Sequence, residues 1–479
     1  MREYVVTISG GIVVLELKPS VLSEEEIRSI LTTIDENTIK EAKRICLTSL
    51  EETILVRGEP GGAVVYDIRG RRIIDMTSQA WTLNVGYSHP DVVYSAALQA
   101  SLLNHVRYGF PTIPRLKLMV KLKEIYGYER VALNTQGGGW AIETAMKLAM
   151  VNKPGADTFL VAWRGYHGNS LALTAASHPL PGLIRYKLFG EERFVRFPYP
   201  YCYRCPFKAK YPDCAVDPCL SFVEKTIKYS TRGVGAIAGL IIEPILGPGG
   251  VVPAPREYLK GVIELGEKYG FYVIFDEAQT ANGRVGAWSV AHLHGLKPDM
   301  MTLTKGLGGG FPIGATLAKG TIKGLSYPEE HTTFGGNPVP YAAALINLYV
   351  IERLNLVERA RVMGEYALKR LHDMMERIEL IGDVRGYGLY LSVDLVKSRE
   401  TKEPATEEAE EVVKLAFEKG ALYALDMPDI LGDEVTMRNV IKIRPPLVIA
   451  KEELDEALSI LEESLIEVSR EYGYKYSKA

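Results

Sequence analysis

One lysine stands at the end of an apolar strand in MMTLTKGLGGGFPIG, residues 300–314. Lys305 follows MMTLT and precedes a run of glycines, with almost no charged residue beside it. An amine in such surroundings can act as a covalent anchor or as a base, because burial lowers the pKa of a lysine. A lysine that packs its stem and extends its amine to solvent fits the same sequence equally well. The other polar residues must decide between these two interpretations.

Two further apolar strands are expected to end in acidic or polar residues. FYVIFDEAQT ends in Asp276, Glu277 and Gln279, and AGLIIEP ends in Glu243. Ligands of open α/β sheets gather at the carboxyl ends of the strands, so these side chains are expected near Lys305. Each acid alone is more typical of a helix cap or a solvated strand end. In combination with an isolated lysine they predict a functional site.

A third element could bind an anion. In ALNTQGGGWAIETAMKLAM a strand runs into Gly137, Gly138 and Gly139, and a helix follows. Glycines at this point allow backbone N–H groups to close on a phosphate, which the helix dipole favours. A plain tight turn would explain the glycines as well. Nucleotide-binding signatures are absent, since no Gly-Lys-Ser or Gly-Lys-Thr occurs and GLGGGF does not lead from a strand into a helix.

These parts match the requirements of one cofactor, pyridoxal phosphate. It needs a lysine amine for its Schiff base and an acid that keeps its pyridine nitrogen protonated. Tyr166, in GYHG after FLVAW, offers an aromatic face, and HTTFGGNP offers hydroxyls at Thr332 and Thr333. We therefore predict that Lys305 anchors the cofactor and, once the substrate displaces it, moves a proton at the substrate's α-carbon.

The elements that position these residues follow from the hydrophobic pattern. From about residue 110, apolar runs alternate with amphipathic helices, which predicts a mostly parallel sheet covered on both faces. We expect an α/β fold with a large α/β/α domain, residues 106–345, and a smaller α+β domain. The smaller domain is drawn from both chain ends, residues 1–105 and 346–479. The start, MREYVVTISGGIVVLEL, has the pattern of a strand pair.

The overall composition excludes several classes of protein. The 479 residues are 47% hydrophobic and can bury a large core, while the net charge of −3 gives no basic surface for nucleic acid. No tract is apolar enough to span a bilayer, and the start lacks the layout of a signal peptide. We therefore expect a cytoplasmic enzyme. Glutamine is rare, at Gln79, Gln99, Gln136 and Gln279, and this balance suggests a heat-adapted source.

The order of the motifs resembles the class III (ω-type) aminotransferases, which are fold-type I enzymes dependent on pyridoxal phosphate. The similarity runs from LVRGEPGGAVVYDIRGRRIIDMTS and NVGYSHP to the C-terminus. Its most specific block is FDEAQTANGRVGAWSVAHLHGLKPDMMTLTKGLGGGFPIGA. The resemblance implies transfer of an amino group from an amino acid or ω-amine to a 2-oxo acid by a ping-pong route. It also implies a homodimer, or a dimer of dimers, with two shared sites per dimer.

The resemblance also implies roles for individual residues. In the order of the cofactor's parts, these are Lys305 at the aldehyde, Asp276 at the pyridine nitrogen, Gln279 near the ring hydroxyl, Ala278 and Tyr166 on the two ring faces, Gly138 and Gly139 at the phosphate, and Thr333 at the phosphate in the other subunit's site. Glu243, in EPILGPGG, matches a family acid near the substrate pocket. Trp81 is expected to shape the same pocket.

The chain departs from the family pattern at two places. The usual Ser-Gly-Thr phosphate turn is all glycine, so backbone N–H groups would have to do more. Where the family has an arginine, three residues before a Pro-Pro pair, this chain has Lys442, with Arg444 directly before Pro445. Either residue could hold a substrate carboxylate, although a lysine cannot make the paired bonds of a guanidinium. A solvated strand position fits Lys442 equally well.

The reaction itself stays open among related chemistries. The C-terminal third and the DEAQT spelling resemble 2,2-dialkylglycine decarboxylase, but the glutamine that assists decarboxylation there aligns with Ala80. Gln79 is one position away, and one step along a strand reverses the side chain. We therefore rank transamination first, amino-acid racemisation or epimerisation second, and decarboxylating transamination third. A binding protein without activity on the same fold is expected to have lost Lys305 or Asp276.

Four cysteines stand close together in YCYRCPFKAKYPDCAVDPC. They are Cys202, Cys205, Cys214 and Cys219, and Cys46 stands apart. A structural zinc site fits the C-x-x-C half, and disulfides would be reasonable in a heat-adapted organism. Free thiols are the third alternative, so no metal is predicted firmly. The position of the segment suggests a loop near the mouth of the pocket.

Overall fold

The computed structural model describes residues 4–8, 11–15, 19, 21–178, 190–229, 232–427, 429–431 and 434–477. Its helical elements, in chain order, are α1 (Glu24–Thr32), α2 (Glu36–Ile45), α3 (Ser78–Trp81), α4 (Pro90–Leu102), α5 (Ile113–Tyr126), α6 (Gly138–Asn152), α7 (Leu171–Ala176), α8 (Asp217–Tyr229), α9 (Arg256–Tyr269), α10 (Val290–His294), α11 (Pro338–Arg353), α12 (Leu356–Arg377), α13 (Thr406–Glu418) and α14 (Lys451–Tyr472). Its strands are β1 (Tyr4–Ile8), β2 (Gly11–Leu15), β3 (Leu55–Gly58), β4 (Val64–Asp67), β5 (Arg72–Asp75), β6 (Arg130–Asn134), β7 (Thr158–Ala162), β8 (Phe194–Phe197), β9 (Ile237–Ile242), β10 (Ile245–Leu246), β11 (Val252–Pro253), β12 (Tyr272–Asp276), β13 (Met300–Leu303), β14 (Gly314–Ala318), β15 (Ile381–Tyr387), β16 (Tyr390–Leu395), β17 (Ala421–Leu422), β18 (Ala424–Leu425), β19 (Asp429–Leu431), β20 (Glu434–Met437) and β21 (Val440–Ile443).

A seven-stranded sheet forms the centre of the larger domain, in the order β6-β14-β13-β12-β9-β7-β8. The pairs from β13 to β8 are parallel, whereas β14 runs antiparallel to both β13 and β6. The prediction of a mostly parallel sheet is therefore confirmed, with one antiparallel strand that the apolar runs did not indicate.

Side chains along the central strands alternate between two cores. Ile241 and Ile274 pack in a core that includes α6, whereas Leu240 and Val273 pack in the core that includes α8 and α9. Because helices cover both faces, the central strands carry apolar side chains on both faces of the sheet and not only at alternate positions. The carboxyl ends of β12 and β13 lie side by side in parallel register, with Asp276 opposite Thr302.

The smaller domain is built from both chain ends. Strands β3, β4 and β5, from the first 75 residues, form a sheet with β17, from beyond residue 420. A second sheet has the order β15-β16-β21-β18. One core joins residues of β4 and β5 to residues of α12, α13 and α14. This confirms a smaller α+β domain from both ends, while the bounds at residues 105 and 345 stay predictions.

The chain start matches its predicted pattern at the level of the backbone. β1 and β2 pair as an antiparallel hairpin. Helices α1 and α2 follow and contribute no buried side chain. Within the ranges given above, no helix combines the length and the apolar character needed to cross a membrane.

Helix α12 passes so close to the turn between β15 and β16 that the helix has no room for a side chain at Gly364. A Cβ on Gly364 would lie 2.1 Å from the carbonyl oxygen of Gly388. Gly364→Ala is therefore expected to destabilise the fold by about 1–3 kcal/mol, although alanine intrinsically favours helix. Gly235→Ala is the control, because no heavy atom lies within 4 Å of its Cβ. Equal unfolding midpoints in urea for the two variants would contradict this packing.

Candidate active site

Asp276 ends β12 and Lys305 follows the neighbouring parallel strand β13, so both residues lie at the carboxyl edge of the sheet. Lys305 has left-handed backbone, with a φ of 48°, and its amine lies 5.7 Å from the centre of the Trp81 ring. Burial lowers the pKa of this amine, against the opposing fields of Asp276 and Glu243. An amine of lowered pKa is available both to bond an aldehyde and to accept a proton.

The Asp276 carboxylate is buried and held from three sides. Oδ2 lies 2.9 Å from Nδ1 of His167, and Oδ1 accepts from the Ala278 N–H at 3.1 Å and the Thr302 hydroxyl at 3.2 Å. A carboxylate fixed in this way can face a protonated ring nitrogen without moving. Sequence reasoning missed His167, although it stands beside Tyr166 in the GYHG motif.

The glycine turn forms the start of α6 and adjoins the lysine. Gly137 caps the helix with a φ of 89°, and a Cβ on Gly138 would lie 2.8 Å from Cγ2 of Thr304, directly before Lys305. A Cβ on Gly139 would lie 3.3 Å from Leu173. The first N–H groups of a helix have no partner within the helix and favour an anion. The turn therefore fits the phosphate of a cofactor bound to Lys305.

Gln279 is oriented by residues from the other end of the chain. Its Oε1 accepts from Nη1 of Arg444 and from the hydroxyl of Tyr390, both at 2.9 Å. Arg444 also donates to the Gly247 carbonyl at 3.2 Å, and its guanidinium lies 4.5 Å from the Trp81 ring centre and 4.1 Å from that of Tyr390. No hydrogen bond among the described residues involves the amide nitrogen of Gln279, so this group can donate toward a ligand.

Lys442 also lies against Trp81. Its side chain is buried, and its amine is 4.9 Å from the centre of the indole ring. Burial, together with the charge of Arg444, lowers the pKa of this amine to about 7. The Trp81 ring therefore faces three cationic groups, Lys305, Lys442 and Arg444, which brings together the predicted anchor and both candidate ligands of a substrate carboxylate.

Trp81 reaches this position through a turn of unusual handedness. Ser78, Gln79, Ala80 and Trp81 all have a positive φ, between 45° and 68°. The Gln79 side chain donates to the hydroxyl of Tyr87 at 2.8 Å. The Gln79 side chain is thus engaged with Tyr87, and Ala80 is exposed. The geometry gives no support to the decarboxylating alternative.

Glu243 organises the backbone beside the site. Its carboxylate accepts from the N–H of Tyr166 at 2.8 Å and from the N–H of Gly247 at 2.9 Å. Burial and the nearby Asp276 raise the pKa of Glu243 to about 7. Contact of this acid with a substrate stays a prediction, since both oxygens serve the backbone.

Ala278 and Thr333 lie in different surroundings. Ala278 is half-buried directly after the Asp276–Glu277 pair, while Thr333 is exposed on the loop before α11. The described contacts do not bring Thr333 together with the other predicted residues, and its expected role in a second subunit's site stays a prediction.

The four clustered cysteines all line one small cavity of about 10 Å³. All five cysteines of the chain are free. Burial raises the pKa of the Cys202 thiol to about 11 and that of Cys219 to about 12. Throughout the part of the chain that the structure describes, no three His, Cys, Asp or Glu side chains are arranged to hold a metal ion. The zinc and disulfide hypotheses stay predictions.

The family follows from comparison with known proteins. A family model described as aminotransferase class-III matches residues 49–465. The chain belongs to this family. It is 39% identical over 415 residues to the leucine/methionine racemase of Thermococcus litoralis, and the matched region covers 85% of this chain and 89% of that protein. It is 32% identical over 424 residues to the acetylornithine aminotransferase of Methanocaldococcus jannaschii, covering 87% of this chain and 94% of that protein.

Solved structures agree with this assignment. A Bacillus anthracis aminotransferase matches with a TM-score of 0.81 at 30% identity, covering 93% of this chain and 100% of that chain. The class-III aminotransferase is therefore a fold-type I enzyme that depends on pyridoxal phosphate. The predicted family, fold class and cofactor are confirmed, and the roles of single residues stay predictions that the geometry supports.

Lys305→Ala is expected to abolish covalent attachment of pyridoxal phosphate, because the anchoring amine is gone. Borohydride should fix the cofactor on the wild-type peptide that contains Lys305, and mass spectrometry should find no such label in the variant. Lys319→Ala is the control, since that amine pairs with Asp299 at 2.8 Å, and it should keep the label. A wild-type label on any other lysine would show that the anchor is wrong.

Proposed function

We propose that this class-III aminotransferase passes an amino group from an amino acid or ω-amine to a 2-oxo acid, with both substrates using one site in turn. The proposal rests on one observation. The Lys305 amine, the Asp276 carboxylate and the glycine turn lie together at the edge of one sheet. Pyridoxal phosphate, when bound, supplies the electron sink that makes an α-proton of the amino substrate acidic.

Each residue of the site has a separate role in the proposed reaction. Lys305 would hold the cofactor covalently and, once displaced by substrate, would take and return the proton. Asp276, fixed by His167 and Thr302, would place a negative charge beside the pyridine nitrogen and keep it protonated. The start of α6 would hold the phosphate, and the half-buried Tyr166 would cover the ring.

The positive end of the site favours a substrate with a carboxylate. Arg444 and Lys442 both lie against the indole ring of Trp81. A substrate carboxylate beside them would offset the repulsion between their two positive charges. This supports amino acids over simple amines as donors. The acceptor 2-oxo acid carries the same carboxylate and would use the same cations.

Racemisation or epimerisation of an amino acid is the second candidate. It is supported by the 39% identity to a leucine/methionine racemase, which exceeds the 32% identity to the acetylornithine aminotransferase. The two reactions share removal of the α-proton and differ in where a proton is returned. Decarboxylating transamination comes third, because Gln79 is bonded to Tyr87.

We propose a cytoplasmic homodimer, or a dimer of such dimers, as the working unit. Ile113, Leu116 and Val120 on one side of α5 are 72%, 51% and 56% exposed, and Phe334, next to Thr333, is 63% exposed. A second copy over this apolar surface would bury it and would place Thr333 beside another subunit.

A single-turnover experiment tests the reaction. The holoenzyme is mixed with one amino donor and no 2-oxo acid, and each of the proteinogenic amino acids and several ω-amines is tried. We expect at least one amino acid to convert the yellow cofactor to its amine form, with release of the matching 2-oxo acid. A protein that converts no donor would contradict transamination, and carbon dioxide release would favour the third candidate.

Leu116→Glu is expected to separate the subunits, because it places a charge in the middle of the apolar surface. Light scattering after size-exclusion chromatography should give twice the 53.1 kDa chain mass, or four times, for the wild type and a lower mass for the variant. Val362→Glu, at a similarly exposed apolar position on α12, is the control and should keep the wild-type mass. A wild type of 53.1 kDa would refute the dimer.

A further inference from the structure

Lys442 has properties that a carboxylate ligand does not need. The side chain is only 4% exposed, and its amine faces the Trp81 ring at 4.9 Å. Among the hydrogen bonds of the described residues, none involves this amine. Two residues later, Arg444 already supplies a positive charge, fixed by Gln279 and Gly247.

The chemical difference between the two cations lies in the proton. A guanidinium does not release a proton in proteins, whereas a buried ammonium does. Burial lowers the pKa of Lys442 to about 7, while that of Arg444, lowered by burial to about 10, still keeps the guanidinium charged at neutral pH. The ionisable groups whose charges act on the Lys442 amine are Asp426, Arg438, Arg444 and Lys305, and Asp426 is in turn approached by Arg164 at 3.7 Å.

Lys442 and Lys305 lie against the same indole ring. The distances from the Trp81 ring centre, 5.7 Å for Lys305 and 4.9 Å for Lys442, limit the separation of the two amines to about 10.6 Å. Two amines that each reach one carbon within about 3 Å are about 6 Å apart. The limit permits this separation.

We propose that Lys442 is a second acid/base group that returns a proton to the α-carbon of an amino acid from the side opposite to Lys305. Lys305 breaks the α C–H bond on one side and becomes an ammonium. The Lys442 ammonium then gives a proton to the same carbon, so that a C–H bond forms on the other side and Lys442 becomes a neutral amine. Turnover in the reverse direction, or exchange with water, restores both. This inference rests on the proposed function and extends its second candidate.

Deuterium labelling tests the proposal in the holoenzyme. Each proteinogenic L-amino acid is incubated singly in D₂O, and chiral chromatography with mass spectrometry follows α-deuterium in both enantiomers. The wild type should form an α-deuterated D-amino acid from at least one of them. Lys442→Arg keeps the charge without the removable proton. It should lose D-amino acid formation by about 100-fold or more, while α-deuterium still enters the L-amino acid. Lys260→Arg, at an exposed position, should behave as the wild type.

A second measurement does not depend on activity. Acetic anhydride labels only neutral amines, so the pH dependence of labelling reports the pKa of each lysine in the protein without cofactor. Lys442 should be half-labelled near pH 7, well below the pH range in which an ordinary lysine amine reacts. A Lys442 that is labelled only in that ordinary range, or a Lys442→Arg variant that racemises at the wild-type rate, would overturn the proposal.

The outcomes also separate this inference from the proposed function. If the wild type exchanges the α-proton of an L-amino acid but forms no D-enantiomer, Lys442 has no such role and the aminotransferase assignment stands. If no amino acid exchanges its α-proton and none converts the cofactor, both the proposed function and the inference fail.

Discussion

The buried carboxylate of Asp75 holds the turn on which the site depends. It accepts hydrogen bonds from the Thr77 N–H at 2.7 Å, the Thr77 hydroxyl at 2.6 Å, the Gln79 N–H at 3.0 Å and the Tyr87 hydroxyl at 2.8 Å. The four left-handed residues that follow cost on the order of 4–8 kcal/mol in backbone strain. Such a conformation persists only where its surroundings impose it. This turn places the Trp81 ring against Lys305, Lys442 and Arg444.

The second constraint is the balance of buried charge around Trp81. Burial lowers the pKa values of Lys305, Lys442 and Arg444, and it raises those of Glu243 and Asp426 to about 7 and about 6. The opposite shifts bring lysines and acids toward the same range near neutrality. Protons can then move between site and substrate at a small free-energy cost, which acid/base catalysis requires.

The sequence predicted the part of the site that depends on continuous apolar runs. Strands buried on both faces are recognisable by their composition, and their carboxyl ends meet, so Asp276 and Lys305 could be placed together. The left-handed turn was not predictable, because Ser78 to Trp81 include no glycine to mark a positive φ. Nor was the bond from Arg444 to Gln279, which spans 165 positions and depends on how the two domains meet. Both missing parts are tertiary constraints without a local signal.

The cysteine segment is tied to the strand that carries Lys442. Arg204, between Cys202 and Cys205, donates to both oxygens of Asp394 at 2.6 Å and 2.9 Å, and Asn439 donates to the same carboxylate at 2.7 Å. Burial raises the pKa of Asp394, but Arg385 and Arg204 outweigh it and hold that pKa below its usual range. A buried carboxylate that loses one of its partners destabilises a fold by several kcal/mol. Because Asn439 directly precedes β21, the position of the cysteine segment constrains the strand on which Lys442 stands.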